Sequence, residues 1–265
     1  MNEPSKLARV TIGSDPELFL FSKKESRYKS SVGLIGGTKA HPIPLGDRPE
    51  FFVQEDNVTV EFNTAPVTEL EDFVAGINYS VQTIKGIADK LGLEVRADAS
   101  AIFSGDELLS EGARTFGCEP DFNAWTGKMN MKPNAGNEFL RSCGGHIHVG
   151  VTDLERDHLI RMMDLYLGVP SVIMDLDTDR KKLYGKAGAC RLKHYGVEYR
   201  VLSNFWLKSE DLVRWAFIET LRSVQAARTN LVNLKLEGEA IQTCINTCDM
   251  ELAHDLAARH NLRVV

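Results

Sequence analysis

Four short stretches of this chain alternate polar and apolar residues with a period of two, and that parity limits the fold more than any other feature. In a β-strand successive side chains point to opposite faces, so residues two apart share one. In "SDPELF", Asp15 and Glu17 share a face with Leu18 opposite. In "QEDNVTVEFN", read as one strand, Glu55, Asn57, Thr59, Glu61 and Asn63 share a face, and Val58, Val60 and Phe62 form the other. "GGHIHVG" turns His146 and His148 one way and Ile147 and Val149 the other, while "GVEYRVL" sets Glu198 and Arg200 against Val197, Tyr199 and Val201. Such alternation belongs to antiparallel sheet with one face on a core and the other wet. A wet face ordinarily mixes Lys, Thr, Ser and Gln. Here the polar positions are Asp, Glu, Asn and His, the ligand types of hard and borderline divalent cations. Crowded carboxylates repel, and a divalent cation is the simplest neutraliser, provided these strands are neighbours in space.

Elsewhere the period changes. Across residues 68–91, Leu70, Phe73, Ile77, Val81, Ile84, Ala88 and Leu91 recur at helical spacing, and Gly92 closes the run. A second helix is expected from Thr152 or Asp153, through Leu159, Met163 and Leu167, to a stop before Pro170. A third should start at Ser209 as N-cap, with Glu210 and Asp211 in the first turn, and carry Leu212, Trp215, Ile218, Glu219 and Val224 toward Leu231. A short one follows over residues 250–259. Residues 30–49, rich in Gly and Pro, read as loop with strand fragments, and "NAWTGKMNMKPNAGN" (123–137) as a long loop over the mouth of a site. There is no internal repeat and no linker. The expectation is therefore one α+β domain over residues 1–265, with 207–265 a helical C-terminal part.

A net charge of −6 gives no global attraction to nucleic acid or anionic membrane. No apolar run is long enough to cross a bilayer, and the opening "MNEPSKLARV" lacks an apolar leader core, so a cytoplasmic location is expected. The five cysteines (Cys118, Cys143, Cys190, Cys244, Cys248) are scattered and odd in number, as in a reduced cytosolic protein. Trp125, Trp206 and Trp215 read as core or pocket walls. His254 and His260, on the last helix, read as partly exposed rather than as ligands. One anion-binding feature is local. Residues 179–194 hold Arg180, Lys181, Lys182, Lys186, Arg191 and Lys193 around the flexible Gly185-Lys186-Ala187-Gly188. Beside a carboxylate-rich face, this points to a polyanion bridged to metals, such as a nucleotide. The common phosphate-loop motifs GxxxxGK[ST] and strand–GxGxxG–helix are absent, as are nucleic-acid recognition motifs.

Taken in order, "GSDPE", "ED…VEF.T.P", "GGHIHVG" and "GVEYR…W" resemble the carboxylate–amine ligases of the glutamine synthetase and γ-glutamylcysteine ligase superfamily, and most of all its short, phage-associated branch. The resemblance spans about Gly13 to Trp206. It implies a curved, mainly antiparallel sheet forming a funnel-like active site, helices packed outside it, and an ATP site with two or three Mg2+ or Mn2+ ions. By motif position Glu17 matches a metal carboxylate and Asp15 stands where relatives carry another acid. Glu55 and Glu61 match an acidic pair, although Gln54 or Asp56 fits the spacing of the first equally well. His146 matches a metal ligand, His148 a residue facing the nucleotide phosphates, Glu198 a late metal carboxylate and Arg200 the arginine that meets the transferring phosphate. Arg191 and Lys186 would flank the phosphates, and Asp56 is a candidate to assist deprotonation of the amine.

The activity so implied is ATP-dependent amide formation through an acyl phosphate, with small-molecule or peptide carboxylates and amines as partners. It would involve neither nucleic acid nor membrane, and in phage it would operate in the host cytoplasm. Three rivals use the same residues: a phosphotransferase of related fold, a metallohydrolase, and a non-catalytic nucleotide- or metal-binding virion or scaffold protein. Substrate identities and oligomeric state leave no sequence signal.

Overall fold

The alternating segments resolve into two antiparallel sheets that meet along the chain between Ser14 and Glu17. The computed structural model describes residues 9–114, 121–131 and 136–265, so Cys118 and residues 132–135 of the expected mouth loop lie outside it. In chain order the first strands are β1 (Thr11–Ser14), β2 (Glu17–Ser22), β3 (Arg27–Lys29), β4 (Ile43–Leu45), β5 (Arg48–Asp56), β6 (Thr59–Asn63) and β7 (Glu94–Arg96). The later ones are β8 (Ser100–Ile102), β9 (Phe122–Asn123), β10 (Lys128–Met129), β11 (Leu140–Ser142), β12 (Ile147–Gly150), β13 (Ala189–Lys193) and β14 (Gly196–Tyr199). One sheet runs β1-β12-β14-β13-β9-β10 and the other β3-β2-β6-β5-β4, with β7 also on β2 and a separate β8-β11 pair. Backbone bonds stitch the two together: Thr64 N to Ser14 O (2.9 Å), Phe62 N to Pro16 O (3.2 Å) and Glu17 N to Gly144 O (2.9 Å). The result is a curved antiparallel surface with helices on its periphery.

Its apolar face carries the expected parity. Val60, Phe62, Ile147, Val149, Val197 and Tyr199 are fully buried, in one hydrophobic cluster that reaches from Ile12 to Leu262. Burying each such side chain contributes roughly 1.5–3 kcal/mol. The helices supply the other half of that cluster. They are α1 (Leu70–Lys90), α2 (Glu111–Arg114), α3 (Arg156–Met163), α4 (Val169–Met174), α5 (Arg180–Leu183), α6 (Glu210–Thr229), α7 (Leu234–Thr247) and α8 (Met250–Arg259). Helix α1 buries Phe73, Ile77, Ile84 and Ala88 as its period predicts. Phe73 meets Trp206 and Phe217, with ring centroids 6.1 and 5.4 Å away. Ser209 caps α6 by accepting a bond from Leu212 N.

Three expectations need correction. The second helix starts at Arg156 rather than at Thr152 or Asp153, because Glu155 takes the cap and accepts from Asp157 N and His158 N. It also does not stop before Pro170. A π-turn over Asp164–Gly168 joins α3 to α4, and Pro170 sits in the first turn of α4, where a missing N–H costs nothing. Finally, residues 122–129 are not a free loop over a mouth. They form the β9-β10 hairpin on the sheet edge, pinned where Trp125 donates to Asp164.

Cys143, Cys190, Cys244 and Cys248 are unpaired, the last two at the C-terminal end of α7. Among the described residues no helix is long and apolar enough to cross a membrane.

Candidate metal centre

Strand register builds the site from two rows of side chains. In the first sheet Arg191 lies opposite Glu198, and Glu198 opposite His148, so one row crosses β13, β14 and β12. Asp15, just past the end of β1, brings Oδ1 to 3.0 Å from His148 Nε2 and 3.3 Å from His146 Nδ1. In the second sheet Glu17 lies opposite Glu61, and Glu61 opposite Gln54. Gln54 Nε2 donates to Glu61 Oε1 at 3.0 Å, and Asp56 stands two residues further along the same face.

Two triplets result, Asp15–His148–Glu198 and Glu17–Asp56–Glu61, each able to bring its ligand atoms within 4.8 Å of one another. Both line one cavity of about 270 Å3, with His146, Lys39, Arg191, Lys193 and Arg200. The seam between the sheets depends on the paired glycines. Gly144 N donates to Glu17 Oε2 at 2.8 Å. A methyl group on Gly145 would stand 2.2 Å from Ser203 O, and one on Gly144 2.3 Å from the His146 ring.

The two triplets differ electrostatically. Burial alone would push the Asp15 carboxyl up, but the imidazoles of His148 and His146 hold it well below its ordinary range. Glu198 is likewise opposed by burial and by Asp15, yet Arg200 and the two histidines bring it to about 2. His148 is raised because Asp15 outweighs its burial, whereas burial and the Arg200 charge lower His146. In the second triplet Arg200 and Arg180 are outweighed. Burial and then the neighbouring Asp56 raise Glu17 to about 7. Glu61 is raised further by burial and by Asp15, Asp56 and Glu17. Carboxylates this crowded and desolvated either hold protons or bind a cation.

A cation also fits the first triplet. Asp15 Oδ1, His148 Nε2 and Glu198 Oε2 are buried, and their contacts are ion pairs, the first two with each other and the third with Lys193 at 2.7 Å.

The expected residues divide as follows. Asp15, Glu17, Glu61, His146, His148, Arg191, Glu198, Arg200 and Asp56 all line the cavity. Glu55 does not. The segment "QEDNVTVEFN" is not one strand but the β5-β6 hairpin, turning at Asn57-Val58 with φ +55° at Asn57. The turn resets the parity, so Gln54 and Asp56 face the cavity and Glu55 falls opposite Val60, on the other face. Lys186 is also elsewhere: it is exposed and donates to Asn246 O at 3.3 Å, because the 184–188 turn packs on the end of α7. Of the histidines, His148 completes the first triplet, and His146 lies beside it, 3.3 Å from Asp15 and 3.9 Å from Glu198.

Arg200 is buried and doubly held. Its Nε donates to Asp121 Oδ1 at 2.6 Å, and its Nη1 bonds Glu198 and lies 3.2 Å from His146 Nδ1. Sequence reasoning missed Asp121 and Lys39, held Gln54 only as an alternative to Glu55, and named no role at Glu198 for Lys193. The last, 2.7 Å from Glu198 Oε2, was within reach of the parity argument, since it lies two residues from Arg191 on the same strand. Lys39 sits in a loop without periodicity, which carries no signal.

A family model, phage phiEco32-like COOH.NH2 ligase-type 2, matches residues 123–261, just over half of the chain. His146, His148, Arg191, Glu198 and Arg200 fall inside the match, and Asp15 and the whole of the other triplet lie before it. No curated protein matches. Among solved structures the chain is similar to one described as a GmaS/ADP complex, at 11% identity and TM-score 0.46, over 94% of this chain and 66% of that one. It is similar to ligand-free GmaS at 13% identity and TM-score 0.43, over 94% and 65%. A cryo-EM structure of Plasmodium falciparum glutamine synthetase gives 10% identity and TM-score 0.41, over 82% and 52%. The chain thus spans two thirds or less of each of these proteins.

Proposed function

We propose a function from one premise, that the chain belongs to the phage phiEco32-like COOH.NH2 ligase-type 2 family: it joins a carboxylate to an amine at the cost of ATP, as a single catalytic domain over residues 1–265. The observation that carries the reading is the meeting of two acidic triplets and three cations of β13-β14 and its C-terminal margin (Arg191, Lys193, Arg200) around one cavity. A carboxylate is a poor electrophile, and an amine attacking it finds no usable leaving group. Transfer of the γ-phosphoryl group to the carboxylate makes an acyl phosphate, whose phosphate then leaves as the amide forms. That transfer needs positioning and charge neutralisation, not a protein nucleophile.

Asp15, His148 and Glu198 would hold one Mg2+ or Mn2+ and Glu17, Asp56 and Glu61 another. Bound there, the ions supply charge neutralisation for the nucleotide phosphates. Arg200, oriented by Asp121, faces the transferring phosphoryl group, and Arg191 and Lys193 balance the remaining phosphate charge. Asp56 also lines an adjoining narrow cleft beside Arg180 and Tyr184, where acceptor substrates would enter. There it is placed to take the proton of the amine.

The test is isotopic. A panel of carboxylic acids labelled with oxygen-18 is incubated with ATP, Mn2+ and hydroxylamine as a general amine. A ligase passes one labelled oxygen per turnover into inorganic phosphate and forms the hydroxamate. A stable phosphorylated product would instead identify a phosphotransferase, and hydrolysis independent of nucleotide a metallohydrolase.

A further inference from the structure

We propose that Lys39 binds the phosphates of the nucleotide, and that Glu55 is the positioning residue that holds it over the cavity. The inference rests on the nucleotide reading above and adds to it a strap built from residues 31–42. This strap begins at Ser31, whose N–H donates to Val58 O (3.1 Å) and whose hydroxyl donates to Thr59 O (2.7 Å). It ends in β4, which pairs with β5.

Between these ends its backbone folds around the Glu55 carboxylate, which accepts from Gly33 N (3.0 Å), Ile35 N (3.0 Å) and Gly36 N (2.7 Å). Three backbone donors on one carboxylate form a concave nest with the anion supplied by the protein itself. Gly37 then crosses β5 so closely that a methyl group there would meet Val53 O at 2.7 Å, and its φ of +75° favours glycine independently. Thr38 and His41 exchange backbone bonds of 3.1 and 3.0 Å. That closes a tight turn with Lys39 and Ala40 at its tip, and Lys39 lines the cavity.

The charge pattern supplies the reason for the device. Arg191, Lys193 and Arg200 all contact Glu198 and approach from the first sheet. Lys39 enters from the other sheet and, among the described residues, has no ion-pair partner of its own. It is the cation left over for a ligand on that wall. An extended anion such as a polyphosphate can meet cations of both walls at once.

The test is calorimetric binding of a non-hydrolysable ATP analogue with Mn2+, with AMP as the control that lacks the terminal phosphates. Lys39→Met, in an exposed turn, should weaken the analogue about ten- to hundredfold, the scale of one charge-assisted hydrogen bond, and leave AMP unchanged. Glu55→Ala should weaken it by a similar factor through the strap. The double variant should be no weaker than the worse single one, because both changes remove the same contact. Unchanged analogue affinity in Lys39→Met, an equal loss for AMP, or additive losses in the double variant would overturn the proposal. Failure of the wild-type protein to bind the analogue would instead defeat the nucleotide reading on which it stands.

Discussion

Asp164 gives the structure its most quantitative test. It is fully buried in the π-turn between α3 and α4, where its carboxylate accepts from Trp125 Nε1 (2.6 Å), Gly188 N (2.7 Å) and the Tyr199 hydroxyl (2.8 Å). Tyr199 lies between Glu198 and Arg200, and Gly188 leads into β13, so the buried carboxylate fastens the strands that carry half the site. Burial raises its pKa from 3.8 to about 6, and the three hydrogen bonds offset that only in part. Between those values the folded protein keeps a proton that the unfolded chain has released. Stability therefore falls as pH rises through that window. At up to 1.36 kcal/mol per pH unit, about 2 kcal/mol is lost between pH 4 and pH 6, and the total loss levels off at about 3 kcal/mol above that. Asparagine can keep all three partners without the charge, its oxygen accepting from Trp125 and Gly188 and its amide donating to Tyr199. The expected outcome for Asp164→Asn is near-equality with wild type at pH 4 and a gain approaching about 3 kcal/mol at pH 7.5. Urea denaturation across that pH range measures it, and the difference between the two proteins cancels the other titrating groups. A difference curve flat with pH, or a less stable variant at pH 7.5, would refute the reasoning.

Further outcomes are expected at the site itself. Glu61→Gln should abolish metal-dependent ATP turnover while the apo protein melts no earlier than wild type, since the change removes a carboxylate repelled by Asp15, Asp56 and Glu17; near-normal turnover would take Glu61 out of the site. Mn2+ titration followed by electron paramagnetic resonance should give two equivalents for wild type and one for Glu198→Gln, and a single wild-type equivalent would mean that only one triplet binds. At a hundredfold excess over its dissociation constant, Mn2+ should stabilise the fold by about 2.7 kcal/mol for each site it occupies, an increment that a chelator removes. Gly37→Ala should lower stability by about 1–2 kcal/mol or more, from the left-handed backbone and the approach to Val53 O; an unchanged denaturation midpoint would show that the strap does not depend on that crossing.

Much of this was readable beforehand because periodicity is a local property with global consequences. The apolar halves of β6, β12 and β14 specify a buried face, and once that face is buried His148, Glu198 and Glu61 have only one direction left to point. Helices α1 and α6 were legible for the same reason, with Ser209 as an explicit start. The failures came where the chain changes direction. Asn57 and Val58 look like two more residues of a strand, yet as a two-residue turn they shift the parity, which exchanged Glu55 for Gln54 and Asp56. Pro170 looks like a stop, but a π-turn absorbs it. Lys39 and Asp121 reach the site from segments whose course is set by tertiary contacts, the Glu55 nest in one case and Arg200 in the other, and no window of sequence records either.

The opposed positions Arg191, Glu198 and His148 also limit how such a centre can vary. Neighbouring strands lie about 4.8 Å apart, a pitch fixed by backbone hydrogen bonding rather than by side chains. Reach across the cavity can therefore be adjusted only in discrete steps, by moving a ligand to another rung or by exchanging glutamate for aspartate and withdrawing the oxygen by one methylene. Charge-preserving replacements in this row are displacements, and natural or engineered variants should conserve side-chain length here as strictly as charge.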